Sequence, residues 1–523
     1  MDWLHRLRGE DPAARGRAAE LVNEAVALSD AGRHAEALAL EEQAVRLLRN
    51  LRRVPRTEIV PLLARAVLYH SGDLAAVGDT AGALSRAEEA LALAQEVAAA
   101  GRGRPESLPL AQANLAARLL QSGRAVEALP HARAAAGATA ALPERAGIWI
   151  QGTLAQVLAA TGEDAEASAV SEQALTSARR AIKQRNTGPH EQATGSGQAD
   201  ATTLEAEAAR ALTNDANRLL RAGRWQEALD TATEAVARYR ALAARNRLAY
   251  LPGLARALSN QTIMFTKVAR WDECLAASRE AVELQREISA ADPVAGRPGL
   301  ASALTSYAIG LATTDREDEA RPVMAEALEI YRALAASQPD AYLGKLAEAV
   351  SNHASLVETD EERLRLYRES VALRRKLAAQ NRAVHLPWLA RALGFLADQL
   401  AVMGRIGPAV DTGDEAIRLA RESFAANRAG FLPYHALLLR EQAKRLDEAG
   451  HSEAAITLGT EAVEICRESV AANRRRQLPG LAAALSQQAD RILAQPKVSR
   501  RQAEQARALQ EEATGLRAEI DGR

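Results

Sequence analysis

The sequence of 523 residues contains few aromatic side chains: they make up 3% of it, and only four are Phe. Hydrophobic residues nevertheless form 48% of the chain, so its apolar content is mostly Ala, Leu and Val. These residues suit closely packed helices better than sheets. Because one compact core rarely grows beyond roughly 250–300 residues, we expect several domains or one elongated array.

Cysteine is also scarce, and Cys274 and Cys466 lie too far apart in the sequence to form a CxxC or zinc-type spacing. The N-terminal residues MDWLHR lack the apolar segment of a signal peptide, and no run of about 18 uncharged apolar residues follows. We therefore expect a cytoplasmic protein with no membrane segment. The Ala- and Arg-rich composition is typical of a GC-rich bacterial genome.

Charge of one sign is not in excess, since 66 basic residues balance 67 acidic ones. A general nucleic-acid binder would carry a basic excess or a basic face, so we expect no nucleic-acid partner. The sequence also contains no phosphate-binding P-loop, no HExxH and no GxSxG, and its nine histidines show no repeated ligand spacing. The sequence therefore predicts no catalytic residue, no metal site and no cofactor.

The strongest positive signal is a repeat of about 46 residues. Leu-Pro-x-Leu-Ala occurs at Leu251–Ala255, Leu386–Ala390 and Leu478–Ala482, with weaker copies between them. The anchor positions 252, 298, 344, 387, 433 and 479 are separated by 46, 46, 43, 46 and 46 residues. Proline is accepted in a first helical turn, so each anchor is expected to open a helix. A turn, often glycine, follows 17 residues later.

The helix after each turn carries two small residues seven positions apart, which places them on one helix face. The first of the two is Ala37, Ala83, Ala128, Ala167, Ala228, Cys274, Ala320, Ala409 or Ala455. The second is Ala44, Ala90, Ala135, Ala174, Ala235, Ala281, Ala327, Ala416 or Ala462. We expect these residues to be buried where the two helices of a pair approach closely. Cys274 is interpreted as a small buried substitute for Ala.

The order of small residue, turn Gly, aromatic and Glu-Ala-Leu resembles the tetratricopeptide repeat (TPR) family, with AGRWQEAL at 222–229 as the clearest copy. The resemblance implies an all-α solenoid of about ten to eleven antiparallel helix pairs that form a curved superhelix. The units are longer than the usual 34 residues, as in extended bacterial TPR arrays. Longer helices and a longer link, such as residues 244–250, are expected to account for the difference.

Composition predicts a divided array. Residues 184–202 are polar and glycine-containing without apolar periodicity, which favours a flexible loop or hinge. It would separate a block at 1–183 from a regular block at 203–496. Residues 497–523 are expected to form a helix that caps the end of the array.

The first helices of a TPR array line its concave face, so the resemblance implies a binding surface there. Residues four and eight positions after an anchor, together with aromatics directly after it, form the candidate partner-binding set. The set comprises Arg256, Asn260, Ser306, Glu348, Asn352, Arg391, Trp388, Tyr434 and Glu441. Asn217 and Asn260 also match asparagines of a carboxylate-clamp TPR. Thr213 stands at the position of the clamp's Lys, so no such clamp is predicted.

Three functions remain open from the sequence. The leading hypothesis is an adaptor or scaffold for protein–protein interaction that holds a protein or peptide in its groove, with a bacterial signalling or defence assembly as its setting. The second is a peptide- or ligand-responsive regulator. The third is an enzyme with an unfamiliar site in the groove, where Glu348, His353 and Glu441 would be its residues. Self-association is compatible with each of them.

Overall fold

The structure is a computed structural model that describes residues 2–51, 54–101, 104–139, 142–187, 195–426, 428–472 and 474–521. Within these residues the chain forms helices and no strand. Two compact units are present, unit 1 at Met1–Thr314 and unit 2 at Asp315–Arg523. The all-α repeat architecture predicted from the sequence is confirmed, with twenty-two helices in the described part of the chain.

Unit 1 contains thirteen of the described helices: α1 (Asp2–Asp30), α2 (His34–Asn50), α3 (Arg56–Ala76), α4 (Thr80–Ala99), α5 (Ser107–Gln121), α6 (Ala125–Gly137), α7 (Glu144–Thr161), α8 (Asp164–Thr187), α9 (Gly195–Arg221), α10 (Trp225–Arg245), α11 (Arg247–Lys267), α12 (Trp271–Ala291) and α13 (Pro293–Thr313). Each helix packs mainly against its neighbours in the chain. Odd-numbered helices are the first helices of the repeat units and even-numbered helices are the second.

Unit 2 contains the other nine described helices: α14 (Glu317–Ser337), α15 (Pro339–Ala354), α16 (Asp360–Gln380), α17 (Arg382–Val402), α18 (Ile406–Ala426), α19 (Arg428–Glu448), α20 (Ser452–Ala472), α21 (Arg474–Leu493) and α22 (Arg500–Asp521). Here too, contacts run from each helix to the next.

The small residues of the second helices are buried as predicted. Ala228 is 0% and Ala235 is 0% exposed, and all the other members of the two small-residue sets are at most 1% exposed. Ala235 packs with Leu175 and Leu212 in one apolar cluster. A side chain no larger than a methyl or thiol is therefore required where the second helix contacts its neighbours, and Cys274, itself 0% exposed, meets that requirement.

The predicted glycine turns are left-handed. Gly78, Gly404 and Gly450 have φ angles of 88°, 72° and 82°, a conformation that glycine adopts without a Cβ clash. At the equivalent turn, 17 residues after its anchor, Ala269 has a φ of 56°. A left-handed alanine is strained.

The prediction that the anchor proline opens its helix is wrong. Pro252 is the sixth residue of α11, and the helix begins at Arg247. Asn246 is the only residue between α10 and α11, and its extended backbone and side-chain cap on the Ala249 N–H start the new helix. Nearly all of residues 244–250 are thus helical, and the extra length of the repeat lies in helices of 21 residues rather than in the link.

Part of the loop predicted at 184–202 is helical. Helix α8 continues to Thr187 and α9 begins at Gly195, whereas residues 188–194 lie outside the described residues. Gln184 and Arg185 at one end, and Gln198, Ala199 and Ala201 at the other, have high helix propensity, which opposes the loop composition. A hinge within this segment, the blocks on either side of it and the capping role of residues 497–523 stay predictions. Helix α22 packs on α21 and buries Ala506 and Ala513.

Arginine–glutamate pairs connect two successive second helices, or the start of a first helix with the second helix that follows it. In unit 1, Arg240 pairs with Glu280 at 2.6 Å, and Arg247 pairs with Glu287 at 2.6 Å, each 40 residues apart. In unit 2 the same spacing pairs Arg382 with the Glu422 carboxylate. Because these groups are well exposed, the pairs define register more than they add stability. No helix within the described residues is long and apolar enough to cross a bilayer.

Candidate binding face on the first helices

Four first helices of unit 1 place residues of equivalent repeat position on a common face. Side chains at i, i+4 and i+7 of a helix share one side. Counting from the turn glycines and anchors gives three such repeat positions on each helix, which we call stations 1, 2 and 3. The stations are Trp149, Thr153 and Gln156 on α7; Arg210, Asn214 and Asn217 on α9; Arg256, Asn260 and Ile263 on α11; and Ser302, Ser306 and Ile309 on α13. We call these twelve residues the unit 1 first-helix face.

Contacts between neighbouring helices support this alignment. The guanidinium of Arg210 on α9 lies 6.0 Å from the centre of the Trp149 ring on α7, at the same station. Arg210 also forms an ion pair with Glu207 at 2.6 Å. The ion pair holds Arg210 along α9, and the cation–π contact joins it to α7.

A cleft of about 260 Å³ opens on this face. Gln156, Asn214, Asn217 and Arg256 line it from three consecutive first helices, and the small apolar side chains of α7 form another part of its wall. The Nδ2 atom of Asn214 is buried there and has no hydrogen-bond partner among the described residues. A buried amide without a partner costs about 1–3 kcal/mol, so a ligand that the Asn214 side chain turns to meet would remove that cost.

Buried hydrogen bonds hold one wall of the cleft in place. Arg218 lines it and is only 9% exposed. Its guanidinium donates to the Asp215 carboxylate at 2.9 Å and to the Ser168 hydroxyl at 2.7 Å, while Ser171 donates to Asp215 at 2.9 Å. With its charge balanced by Asp215, Arg218 serves as a fixed wall rather than as a free cation.

The unit 1 first-helix face becomes partly apolar on α11 and α13. Arg256 is exposed and the described structure records no ion pair for it, while Asn260 and Ser306 are half-buried. Two aliphatic side chains on these helices are exposed to solvent, Ile263 by 43% and Ile309 by 45%. They lie 46 residues apart at one repeat station, so the amide-lined part of the face continues into an apolar part.

Unit 2 contains a separate, more open groove of about 640 Å³ between α15, α16 and α17. Of the predicted residues, Glu348 and Trp388 line it. Trp388 is 44% exposed and lies 5.5 Å from the Arg374 guanidinium, whose pKa is lowered mainly by burial. Glu348 is engaged by Lys345 at 3.4 Å. The groove therefore combines an exposed ring with charges of both signs.

The other predicted residues of unit 2 are not part of that groove. Arg391 lies 5.4 Å from the Phe395 ring, which stacks on Tyr367. Tyr434 is half-buried beside Gly394 and packs against the core of the unit, and burial raises the pKa of its hydroxyl. Asn352 and Glu441 are half-buried on α15 and α19. Binding by these residues stays a prediction.

The three residues considered for catalysis are not brought to one pocket. Glu348 lines the unit 2 groove, but neither His353 nor Glu441 does. Burial lowers the pKa of His353, and its Nδ1 has no partner among the described residues. Across the described part of the chain, no group of three His, Cys, Asp or Glu side chains is arranged to hold a metal ion.

Gln156 and Asn214, two of the amides that line the unit 1 cleft, were not predicted from the sequence. Neither α7 nor α9 contains the Leu-Pro-x-Leu-Ala motif that supplied the anchors. The turn glycines Gly162 and Gly223 could have supplied the register instead, because counting back from them aligns both helices with α11.

Comparison with known proteins yields similarity at low identity. No family model matches the chain, and no curated relative matches it. Among solved structures, a Rap protein complexed with competence and sporulation factor is 12% identical with a TM-score of 0.45, over 80% of this chain and 99% of the other. The apo form of the quorum sensor NprR from B. thuringiensis is 13% identical with a TM-score of 0.49, over 78% and 99%.

A third similar structure is a signal transduction ATPase with a tetratricopeptide repeat sensor from Pyrococcus horikoshii. It is 11% identical with a TM-score of 0.47, over 82% of this chain and 55% of the other. At such scores the likeness carries no conclusion about function, and membership of the TPR family stays a prediction.

Proposed function

We propose that this protein is a helical-repeat adaptor that binds an extended segment of a partner protein, or a free peptide, on the unit 1 first-helix face. The observation that carries the proposal is the buried Asn214 Nδ2, which has no hydrogen-bond partner among the described residues and lines a cleft. A ligand that supplies a carbonyl oxygen, towards which the Asn214 side chain turns, would remove the cost of that unpaired donor.

The cleft chemistry favours main-chain recognition. An amide side chain offers one acceptor and two donors, which match the C=O and N–H of a peptide unit. Asn214 and Asn217 are separated by about one helical turn on α9, and Gln156 lines the same cleft from α7. An extended segment leaves its main-chain groups free to pair with such side chains, whereas a helix has already used its own.

The remaining chain acts as a scaffold for this face in the proposed function. The buried alanines fix the spacing of successive helices, and Arg218 with Asp215 fixes the cleft wall. A preformed site loses little entropy on binding, so a modest number of hydrogen bonds suffices for affinity. Cys274 and Cys466 are buried, free thiols, which supports placing the adaptor in a reducing compartment such as the cytoplasm.

The test is recovery of a stoichiometric partner from extracts of the source organism by full-length protein. We expect the Asn214→Ala/Asn217→Ala double variant to lose that partner, because the ligand's main chain loses two amide partners. Val126→Asn is the matched control, since Val126 is 79% exposed and outside the face. Thermal melts establish that all three proteins are folded.

Equal recovery by the double variant and the wild type would refute the proposed site. Failure of the wild type to retain any stoichiometric partner would refute the adaptor function itself.

A further inference from the structure

We propose that the segment bound on the unit 1 first-helix face carries an acidic group and, about three residues away, an aliphatic side chain. The inference rests on the proposed function and adds the chemistry of the ligand to it. Three observations carry it: the charge of the face, its apolar edge and the distance between them.

The charge of the face is positive. Its charged members are Arg210 and Arg256, and none of the twelve stations holds an acidic residue. Arg210 is already paired with Glu207, and Arg218, which lines the cleft, is paired with Asp215. Arg256 lines the same cleft as Asn214 and has no recorded ion pair in the described structure. A ligand carboxylate that pairs with Arg256 would balance the positive charge of its guanidinium.

The apolar edge lies on the same helix face as this cation. Arg256, Asn260 and Ile263 follow one another at i, i+4 and i+7 on α11, and Ile309 repeats the last station on α13. Ile263 and Ile309 are 43% and 45% exposed. An aliphatic ligand side chain laid between them would remove apolar surface from water on both helices.

The distance between the two features sets the spacing of the ligand groups. Seven residues of α-helix at 1.5 Å each separate Arg256 from Ile263 by about 10 Å. An extended chain advances about 3.3 Å per residue, so about three ligand residues span that distance. The ligand is thus an extended segment with an acid–x–x–aliphatic type of pattern, in either chain direction.

The experiment is selection of peptides of random sequence, displayed on phage, against the immobilised full-length protein. We expect enriched peptides to share an acidic and an aliphatic residue about three positions apart. Arg256→Gln should weaken these peptides about tenfold and remove the acidic preference. Ile263→Asn/Ile309→Asn should weaken them about fivefold and remove the aliphatic preference alone. Arg46→Gln and Val126→Asn, exposed changes outside the face, are the controls.

The outcomes separate this inference from the proposed function. Enriched peptides that depend on Asn214 and Asn217 but show no acidic and aliphatic pair would overturn the inference and leave the function standing. The inference would also be overturned if the acidic preference persisted in Arg256→Gln and the aliphatic preference persisted in Ile263→Asn/Ile309→Asn. A wild type that enriches no peptide, or peptides insensitive to Asn214→Ala/Asn217→Ala, would contradict both.

Discussion

Gly413 on α18 lies directly beneath the side-chain amide of Gln442 on α19. A Cβ atom at position 413 would be 1.8 Å from the Gln442 Oε1, closer than any real contact. The same amide donates through Nε2 to the Val410 carbonyl at 2.9 Å and to the Asp414 carboxylate at 2.8 Å. The lack of a side chain on one helix therefore makes room for a hydrogen bond that joins it to the next.

Gly413→Ala should lower the free energy of unfolding by about 1–3 kcal/mol, because the amide must leave its partners to avoid the new methyl group. Gly515→Ala is the matched control. Gly515 lies inside α22 with open space around its Cβ position, so Ala should stabilise that helix by about 0.5–1 kcal/mol. Urea unfolding of both variants measures the difference. A Gly413→Ala protein as stable as Gly515→Ala would contradict the packing described.

The left-handed alanine at the α11–α12 turn predicts a stabilising substitution. Ala269→Gly should raise the free energy of unfolding by up to about 1 kcal/mol, because glycine adopts a φ of 56° without a Cβ clash. The reverse change at an equivalent turn, Gly404→Ala, should be destabilising by about 1 kcal/mol. Thermal melts of the two variants measure the change in melting temperature. Changes of the same sign would contradict a left-handed conformation at both turns.

Close packing of the second helices predicts intolerance of large side chains at the small positions. Ala235→Leu should destabilise the protein by about 1–3 kcal/mol, because its methyl group already contacts Leu175 and Leu212. Ala237→Leu, on the exposed side of the same helix, should change stability by less than about 0.5 kcal/mol. Equal effects of the two in chemical denaturation would be incompatible with a helix pair that meets at Ala235.

A buried carboxyl group in unit 1 predicts a pH dependence of stability. Glu41 is 0% exposed, and burial, with the neighbouring Asp73 adding to the effect, raises the pKa of its carboxyl to about 9. His70 approaches Glu41 with its Nδ1 3.4 Å from Oε2, and burial lowers the pKa of this imidazole, so it remains neutral at pH 7. Glu41 is thus protonated in the folded protein at neutral pH.

In an unfolded chain a glutamate titrates near 4.3. Because the folded state holds the proton more tightly, the stabilisation from Glu41 is full below about pH 4.5 and is lost as the pH rises to about 9. Glu41→Gln, which keeps a neutral side chain, should remove much of this decline in urea unfolding measured at pH 5, 7 and 9. Glu42→Gln, an exposed neighbour, should leave the decline intact. An unchanged slope in Glu41→Gln would exclude a buried neutral carboxyl.

Sequence periodicity predicts the packing better than it predicts the helix ends. The seven-residue spacing of Ala228 and Ala235 predicts their burial, because only a helix puts such positions on one face. The start of α11 could not be read from Pro252, because proline is favoured in a first turn, whereas this helix contains it at the sixth position and gives up one main-chain hydrogen bond there. A single extended residue, Asn246, separates one helix from the next. The presence of an asparagine does not by itself distinguish a helix cap from a residue in a longer loop.

Residues that line the unit 1 cleft could be predicted only where the motif supplied a register. Arg256 and Asn260 were found by counting from Pro252, and the structure places Arg256 in the unit 1 cleft. Asn214 was missed because α9 has no anchor proline. The apolar role of Ile263 and Ile309 was not visible either: an isoleucine in a repeat helix is usually buried, and only the structure shows their exposure.

The most direct test of the central claim is site-specific photocrosslinking. A benzophenone amino acid at position 309, on the exposed edge of the unit 1 first-helix face, is irradiated in extracts of the source organism and compared with the same group at exposed position 126. The proposal predicts a discrete adduct from position 309 that Asn214→Ala/Asn217→Ala abolishes, and none from position 126. Adducts from 126 alone, or an adduct at 309 that persists in the double variant, would contradict it.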